Sequence, residues 1–267
     1  MTSIAILGAA GRMGQKLVSC SRDFPSLRLA AAIEQPGHPA LGRDAGTLAG
    51  AGETGVALTD PAGAAPADVT IDFTFHAAVP ANIADALAKG AKGYVLGTTG
   101  LTPEEKSAVE EAAKRIPIVW APNFSLGVNL LLSLARQAAA LLDSSAYDVE
   151  IVEMHHRHKK DAPSGTALGL AEAVAAGRGA SLGTEACYGR RGIVGERPSG
   201  QIAIHALRGG DVVGDHTVIF AADGERVEIA HKASDRAAFA RGALRAAEWV
   251  AGREPRIYAM AEVLGLA

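Results

Sequence analysis

Residues 4–7, Ile4-Ala5-Ile6-Leu7, run directly into Gly8-Ala9-Ala10-Gly11-Arg12-Met13-Gly14, and a helical pattern over residues 12–21 follows at once. A strand that turns into a helix through so short and small-residue a link commits the start of the chain to a strand–helix–strand unit, because few other folds need that close approach. The first half keeps this rhythm. Strands are predicted over residues 27–33, 69–73, 93–96 and 118–120, with helices over 80–89 and 103–114 between them. The last of these helices opens with Thr102-Pro103-Glu104-Glu105: an N-cap, a proline where no amide partner is needed, and acids in the first turn.

Alternation of this kind predicts an α/β fold, a Rossmann-like doubly wound parallel sheet with helices on its faces. After Phe124 the pattern changes. A long helix over 130–143, a strand over 147–154 and a helix from Gly165 precede two hairpin-like strands, 202–207 and 216–220, flanking a glycine-rich link. A further strand covers 226–231. These predict a second α+β domain on a mixed, largely antiparallel sheet. The Ala-rich helix over 236–251 is expected to return to the first sheet. Domain edges therefore fall near residues 125 and 235: a first domain over 1–125 with 236–267, and a second over 126–235.

The glycine turn has two readings. As GxGxxG it is imperfect, with Ala10 and Met13 at the second and third glycine positions, but as GxxGxxG it is complete. It is either a tightly packed strand-to-helix turn or a turn that brings backbone amides against a pyrophosphate. Glu34, at the end of the second strand, favours the dinucleotide, because an acid there bonds a ribose hydroxyl. Asp72-Phe73-Thr74, Gly97-Thr98-Thr99-Gly100 and Ala121-Pro122-Asn123-Phe124-Ser125 follow later strands and are expected on the same side, although each taken singly is also an ordinary turn.

The segment from Glu153 to Ala167, EMHHRHKKDAPSGTA, holds three of the eight histidines and three fixed cations. A zinc site, a solvated basic loop and an anion-binding catalytic site compete for it. Arg157, Lys159 and Lys160 would repel a divalent cation, and HEXXH is absent. The anion-binding reading fits best: His and Lys face a carboxylated substrate while Ser164-Gly165-Thr166 opens a helix.

Other classes are disfavoured by composition. With 26 Lys and Arg against 29 Asp and Glu, the net charge of −3 gives no electrostatic case for nucleic acid or an anionic membrane. At 48% hydrophobic and 21% charged the chain is neither disordered nor low in complexity. The greasiest stretch, 130–142, is broken by Ser133, Arg136 and Gln137 and is too short to span a bilayer. Residues 1–8 lack the pattern of a secretory signal. Cys20 and Cys187 are too few for a disulfide framework, which places the protein in a reducing, cytoplasmic compartment.

Taken together, these segments resemble the dihydrodipicolinate reductase family nearly end to end. The most specific piece is Glu153-x-His155-His156-Arg157-His158-Lys159-x-Asp161-Ala162-Pro163-Ser164-Gly165-Thr166-Ala167. Residues 8–14, 97–100 and 121–129, and Arg208-Gly209-Gly210 with Gly214-Asp215-His216, support it. The resemblance implies NADH- or NADPH-dependent reduction of a small, cyclic, doubly carboxylated substrate on the diaminopimelate route to lysine. By the same resemblance His155 is the proton donor and Lys159 its catalytic partner, while His156, Gly165 and Thr166 contact substrate. Gly8, Ala9, Ala10, Gly11, Arg12, Met13, Glu34, Gly97, Thr98, Thr99, Ala121, Pro122, Asn123 and Phe124 form the nicotinamide-cofactor site. A homotetramer is implied, and no metal. In some members of the family Arg follows the ribose acid; here Gln35-Pro36 follow Glu34. A different two-domain nicotinamide dehydrogenase and a noncatalytic dinucleotide sensor are the alternatives, but neither needs the His-Lys run.

Overall fold

Strand β1 (Thr2–Leu7) is buried along nearly all its length, as a strand covered on both faces must be. The computed structural model describes residues 1–266 and divides them into two units, residues 1–126 with 236–266, and residues 127–235. In the first unit β1 is followed by α1 (Arg12–Ser21), β2 (Leu27–Ile33), α2 (Ala45–Leu48), β3 (Leu58–Thr59), β4 (Val69–Asp72), α3 (Val79–Ala88), β5 (Gly93–Leu96), α4 (Pro103–Ala113) and β6 (Ile118–Trp120). Helix α4 starts with a complete capping box: Thr102 Oγ1 accepts from the Glu105 amide, and the Glu105 carboxylate accepts from the Thr102 amide.

The second unit contributes α5 (Leu126–Leu141), β7 (Asp148–His155), α6 (Gly165–Gly177), α7 (Leu182–Glu185), β8 (Ala186–Tyr188), β9 (Ile202–Arg208), β10 (Gly214–Ala222) and β11 (Glu225–Ala233). The chain then rejoins the first unit as α8 (Ala237–Val250), β12 (Ile257–Tyr258) and α9 (Met260–Val263). Helix α8 buries Ala240, Ala243, Leu244, Ala246, Ala247 and Val250 in the same core as Ile4, Ile6, Val69 and Ile71. Small residues permit that approach: a Cβ at Gly242 would overlap the Phe124 carbonyl.

The first sheet has seven parallel strands in the order β12-β6-β5-β4-β1-β2-β3. The chain runs outward from β1 through β2 and β3 on one side, and from β4 through β5 and β6 on the other. The carboxyl ends of β1 and β4 therefore form the switch point where ligands of such sheets bind.

The second sheet has the order β11-β10-β7-β9-β8. It is mixed, as expected, but its pairings divide evenly. β10 runs antiparallel to β7 and β11, whereas β9 runs parallel to β7 and β8. The expected hairpin of 202–207 with 216–220 does not form, because β7 lies between those strands. Two strand spacings, roughly 10 Å, separate β9 from β10, so the link between them has to cross the end of β7 rather than make a tight turn. It does so with backbone bonds, Gly209 N donating to His155 O (2.9 Å) and His156 N to Val212 O (2.7 Å). The hairpin of this sheet is β10–β11. Beneath it, Ala167, Leu170, Ala171, Val174 and Ala175 of α6 join Leu131, Ala135 and Ala139 of α5 and Val149 and Ile151 of β7 in one core.

Candidate functional site

In the first unit the glycine turn leaves β1 at the switch point. Gly8 has φ +65°, which only glycine adopts without strain, and its carbonyl accepts from Gly11 N at 2.9 Å. A Cβ at Gly14 would overlap the Gly8 carbonyl oxygen and Ala9 Cα, so α1 packs against the turn only because position 14 is glycine. Gly11 is the N-cap of α1 and offers no side-chain cap, which leaves the helix's first amides without the usual internal acceptor. This cradle fits a pyrophosphate.

Glu34 lies beside it. Its carboxylate accepts from Ala10 N (3.2 Å) and Gln35 N (3.1 Å), which pins the acid against the turn. Gly8, Ala10, Gly11, Glu34, Gln35 and Phe75 line part of a cavity of about 560 Å³, roomy enough for a large part of a dinucleotide. Arg12 is exposed, while Ala9 is buried and Met13 packs into the core.

The later loops are tied to one another by a carboxylate. Asp72 is completely buried and accepts from Thr74 N and Oγ1, Asn82 Nδ2, the Tyr94 hydroxyl and Thr98 Oγ1. Burial, and then the adjacent Asp72 charge, push the Tyr94 phenol well above its ordinary value, so it remains a donor. Gly97 is obligatory because a Cβ there would run into the Phe73 ring. Phe73 meets Phe124 edge-on at 5.5 Å. Thus Gly97 and Thr98 are fixed beside Asp72 and Phe73, while the Phe124 side chain belongs to the core and can offer a ligand only its backbone. Ala121 is buried, its amide bonded to Leu96 O; Asn123 Oδ1 accepts from Ser125 N; Thr99 and Pro122 are exposed. The Asp72 network escapes sequence reading. Its strand-end position is visible, but the convergence of Asn82, Tyr94 and Thr98 on it is not.

In the second unit, β7 alternates strictly, and its inward face carries Val149, Ile151, Glu153 and His155. The first two are core; the last two are polar and 0% and 9% exposed. Glu153 is fully satisfied. Arg208 grips it with Nη1 to Oε2 at 2.8 Å and Nη2 to Oε1 at 2.9 Å, the Ser164 amide donates at 3.0 Å, and His155 Nδ1 lies 2.6 Å from Oε2. Burial works against its charge, yet Arg208, His155 and the Ser164 amide together hold its carboxyl below its ordinary value.

The His155 ring meets His216 edge-on at 5.1 Å. Burial, reinforced by the neighbouring His155, pushes His216 down to about 4, so it is neutral near pH 7. Its Nε2 lies 3.1 Å from Ser164 Oγ, the atom that caps α6 by accepting from Ala167 N. Gly165 and Thr166 form the first turn of α6. Lys159 is largely covered and pairs with Asp161 at 2.9 Å, while its amide bonds to His156 O. The structure therefore gathers His155, His156, Lys159, Gly165 and Thr166 at the junction of β7, the loop after it and the start of α6. Glu153, Arg208 and His216 carry no role in the sequence reading, although all three lie within the quoted motifs.

No helix among the described residues is long and apolar enough to cross a membrane. The chain matches the dihydrodipicolinate reductase family, its N-terminal part over residues 2–124 and its C-terminal part over residues 127–264. A 4-hydroxy-tetrahydrodipicolinate reductase of Anaeromyxobacter dehalogenans is 53% identical, with 100% of this chain and 98% of that protein covered. Its counterpart from Ruegeria pomeroyi is 52% identical, with 98% of each covered. Among solved structures, a dipicolinate-bound dihydrodipicolinate reductase from Paenisporosarcina sp. TG-14 shares the fold, with a TM-score of 0.73 at 24% identity and 98% of each chain covered.

Proposed function

The chain belongs to the dihydrodipicolinate reductase family, and from that premise we propose that it reduces 4-hydroxy-tetrahydrodipicolinate to tetrahydrodipicolinate, with NADH or NADPH, on the diaminopimelate route to lysine. The observation that carries this reading is His155 held by a buried Glu153, with Lys159 and the start of α6 beside it.

The glycine turn, Glu34, Gly97 to Thr99 and Ala121 to Phe124 hold the nicotinamide cofactor, which supplies the hydride when bound. Lys159, His156 and the Gly165–Thr166 turn bind the two carboxylates of the ring, where a cation and aligned donors have most effect. Hydride addition to a conjugated ring leaves carbon that must be protonated, and an imidazolium at His155 delivers that proton. Lys159 stabilises the negative charge that develops meanwhile.

NADH is used at least as well as NADPH. Glu34 accepts hydrogen bonds from ribose hydroxyls but repels a 2′-phosphate, and the exposed Gln35 beside it carries no compensating charge. Arg12 is the cation within the glycine turn, and it is exposed and readily screened. A cytoplasmic homotetramer fits the two free thiols and the exposed Tyr188, Ile193, Val194, Leu207 and Val227 of the second unit. Sedimentation of the purified chain tests the assembly.

The deciding experiment follows reduced-nicotinamide absorbance with freshly generated cyclic substrate. Turnover inhibited competitively by pyridine-2,6-dicarboxylate is the expected result. Cofactor binding without turnover would make the chain a dinucleotide sensor instead.

A further inference from the structure

The geometry points to Glu153 as the positioning residue that decides which nitrogen of His155 gives up its proton: Nδ1 is held by the buried carboxylate and Nε2 is the reacting atom. This rests on the reading of His155 as proton donor. An imidazolium can release either of its protons, and a ring free to rotate or change tautomer would present the wrong nitrogen much of the time. Here Nδ1 lies 2.6 Å from Glu153 Oε2, on a carboxylate with no exposure to water.

Glu153 keeps its charge and place because Arg208 on β9 binds both its oxygens and the Ser164 amide binds one of them. Arg208 also donates to Asp161 O at 2.7 Å, so one guanidinium ties the carboxylate to the loop carrying Lys159. On the far side, a Cβ built at Gly214 would come within 3.0 Å of His155 Nε2, so a glycine leaves the clearance that this nitrogen has. The groups facing the pair are Arg208 on β9, His216 on β10 and, on the loop, Lys159 with Asp161; α6 presents the uncharged Ser164, and His231 on β11 lies beyond His216.

Two substitutions should act in opposite directions. Glu153→Gln removes the anion and leaves the Arg208 cation unopposed, so His155 should lose its proton at lower pH. The basic limb of the kcat profile should shift down, and kcat should fall at least tenfold with KM for the cyclic substrate within about twofold, as expected for a residue acting through the general acid. Arg208→Met leaves Glu153 paired mainly with His155, which should hold its proton more tightly and move the same limb up. The unaltered chain gives a third reading that needs no variant. With ¹⁵N-imidazole histidine, neutral His155 should carry its proton on Nδ1.

Protonation of neutral His155 on Nε2, limbs that shift in the same direction, or an unmoved limb in Glu153→Gln would overturn the assignment. His155→Gln separates the two readings. If it is slow while Glu153→Gln keeps the normal profile, only the positioning role falls; if it turns over normally, the proton-donor reading falls and takes this one with it.

Discussion

The glycine turn of the first unit and the histidine segment of the second are both candidate ligand sites at the carboxyl end of an interior strand, built in opposite ways. The turn works through missing side chains. Gly8 takes a left-handed φ, Gly14 admits the helix and Gly11 leaves α1 without a side-chain cap. The histidine segment works through side chains that are present and buried: Glu153, His155, His216 and Ser164. Even the helix starts differ, since Ser164 caps α6 and also donates its amide to Glu153. Backbone recognition suits a phosphate that need only be held. Proton transfer needs groups whose charge can be set, and burial sets it.

The comparison breaks most clearly through His155. His155→Gln should lose about 10²- to 10⁴-fold in kcat, the usual worth of a positioned acid, while cofactor affinity and melting temperature stay near those of the parent. Normal turnover in a stopped assay would sink the assignment.

The turn should fail differently. Gly14→Ala forces a methyl group into backbone atoms, so roughly 1–3 kcal/mol of stability should go together with cofactor affinity, measured by denaturant melts and fluorescence titration. A variant that melts normally and binds normally would mean the helix can shift at no cost.

Acid should expose the burial of the second region. His216 titrates near 4 when folded and near 6.5 when unfolded, so below pH 6.5 the unfolded chain takes up a proton that the folded one refuses. Its contribution is complete above pH 6.5, is lost as pH falls toward 4, and amounts to about 2 kcal/mol between pH 7 and pH 5. Glu153, with its carboxyl lowered, acts at more acidic pH because its contribution is present above the ordinary glutamate value. Denaturant melts of His216→Gln should show a pH 5 to 7 difference smaller by that amount, and an unchanged difference would contradict a neutral buried ring.

The smallest effect concerns the edge of the turn. Gln35→Arg should move the kcat/KM ratio toward NADPH by roughly tenfold, or ~1.4 kcal/mol, at moderate salt. A parent enzyme preferring NADPH a hundredfold, with no change in the variant, would remove the charge argument from Glu34.

Much of the frame was legible in residue order because local patterns have local causes. The strands 27–33, 93–96 and 118–120 and the helices at 12 and 165 start where apolar runs, caps and glycines place them. Helix α5 begins four residues before the expected 130, and Val128 extends its buried face of Leu131, Ala135 and Ala139 back past a glycine that reads as loop. The motif from Glu153 to Ala167 named, through residue types and spacing, residues that the structure gathers at the end of β7 and the start of α6.

The pairing of β9 and β10 with β7 was decided by tertiary structure. Sequence neighbours suggest a hairpin, and only the packing of a third strand between them excludes it. The same holds for charge. Sequence placed Glu153 two residues before His155, but strand alternation turned both inward, and Arg208, 55 residues away, made the buried carboxylate tolerable. A sequence carries residue type and local period, while burial and the partners of a buried charge exist only once distant segments are packed together.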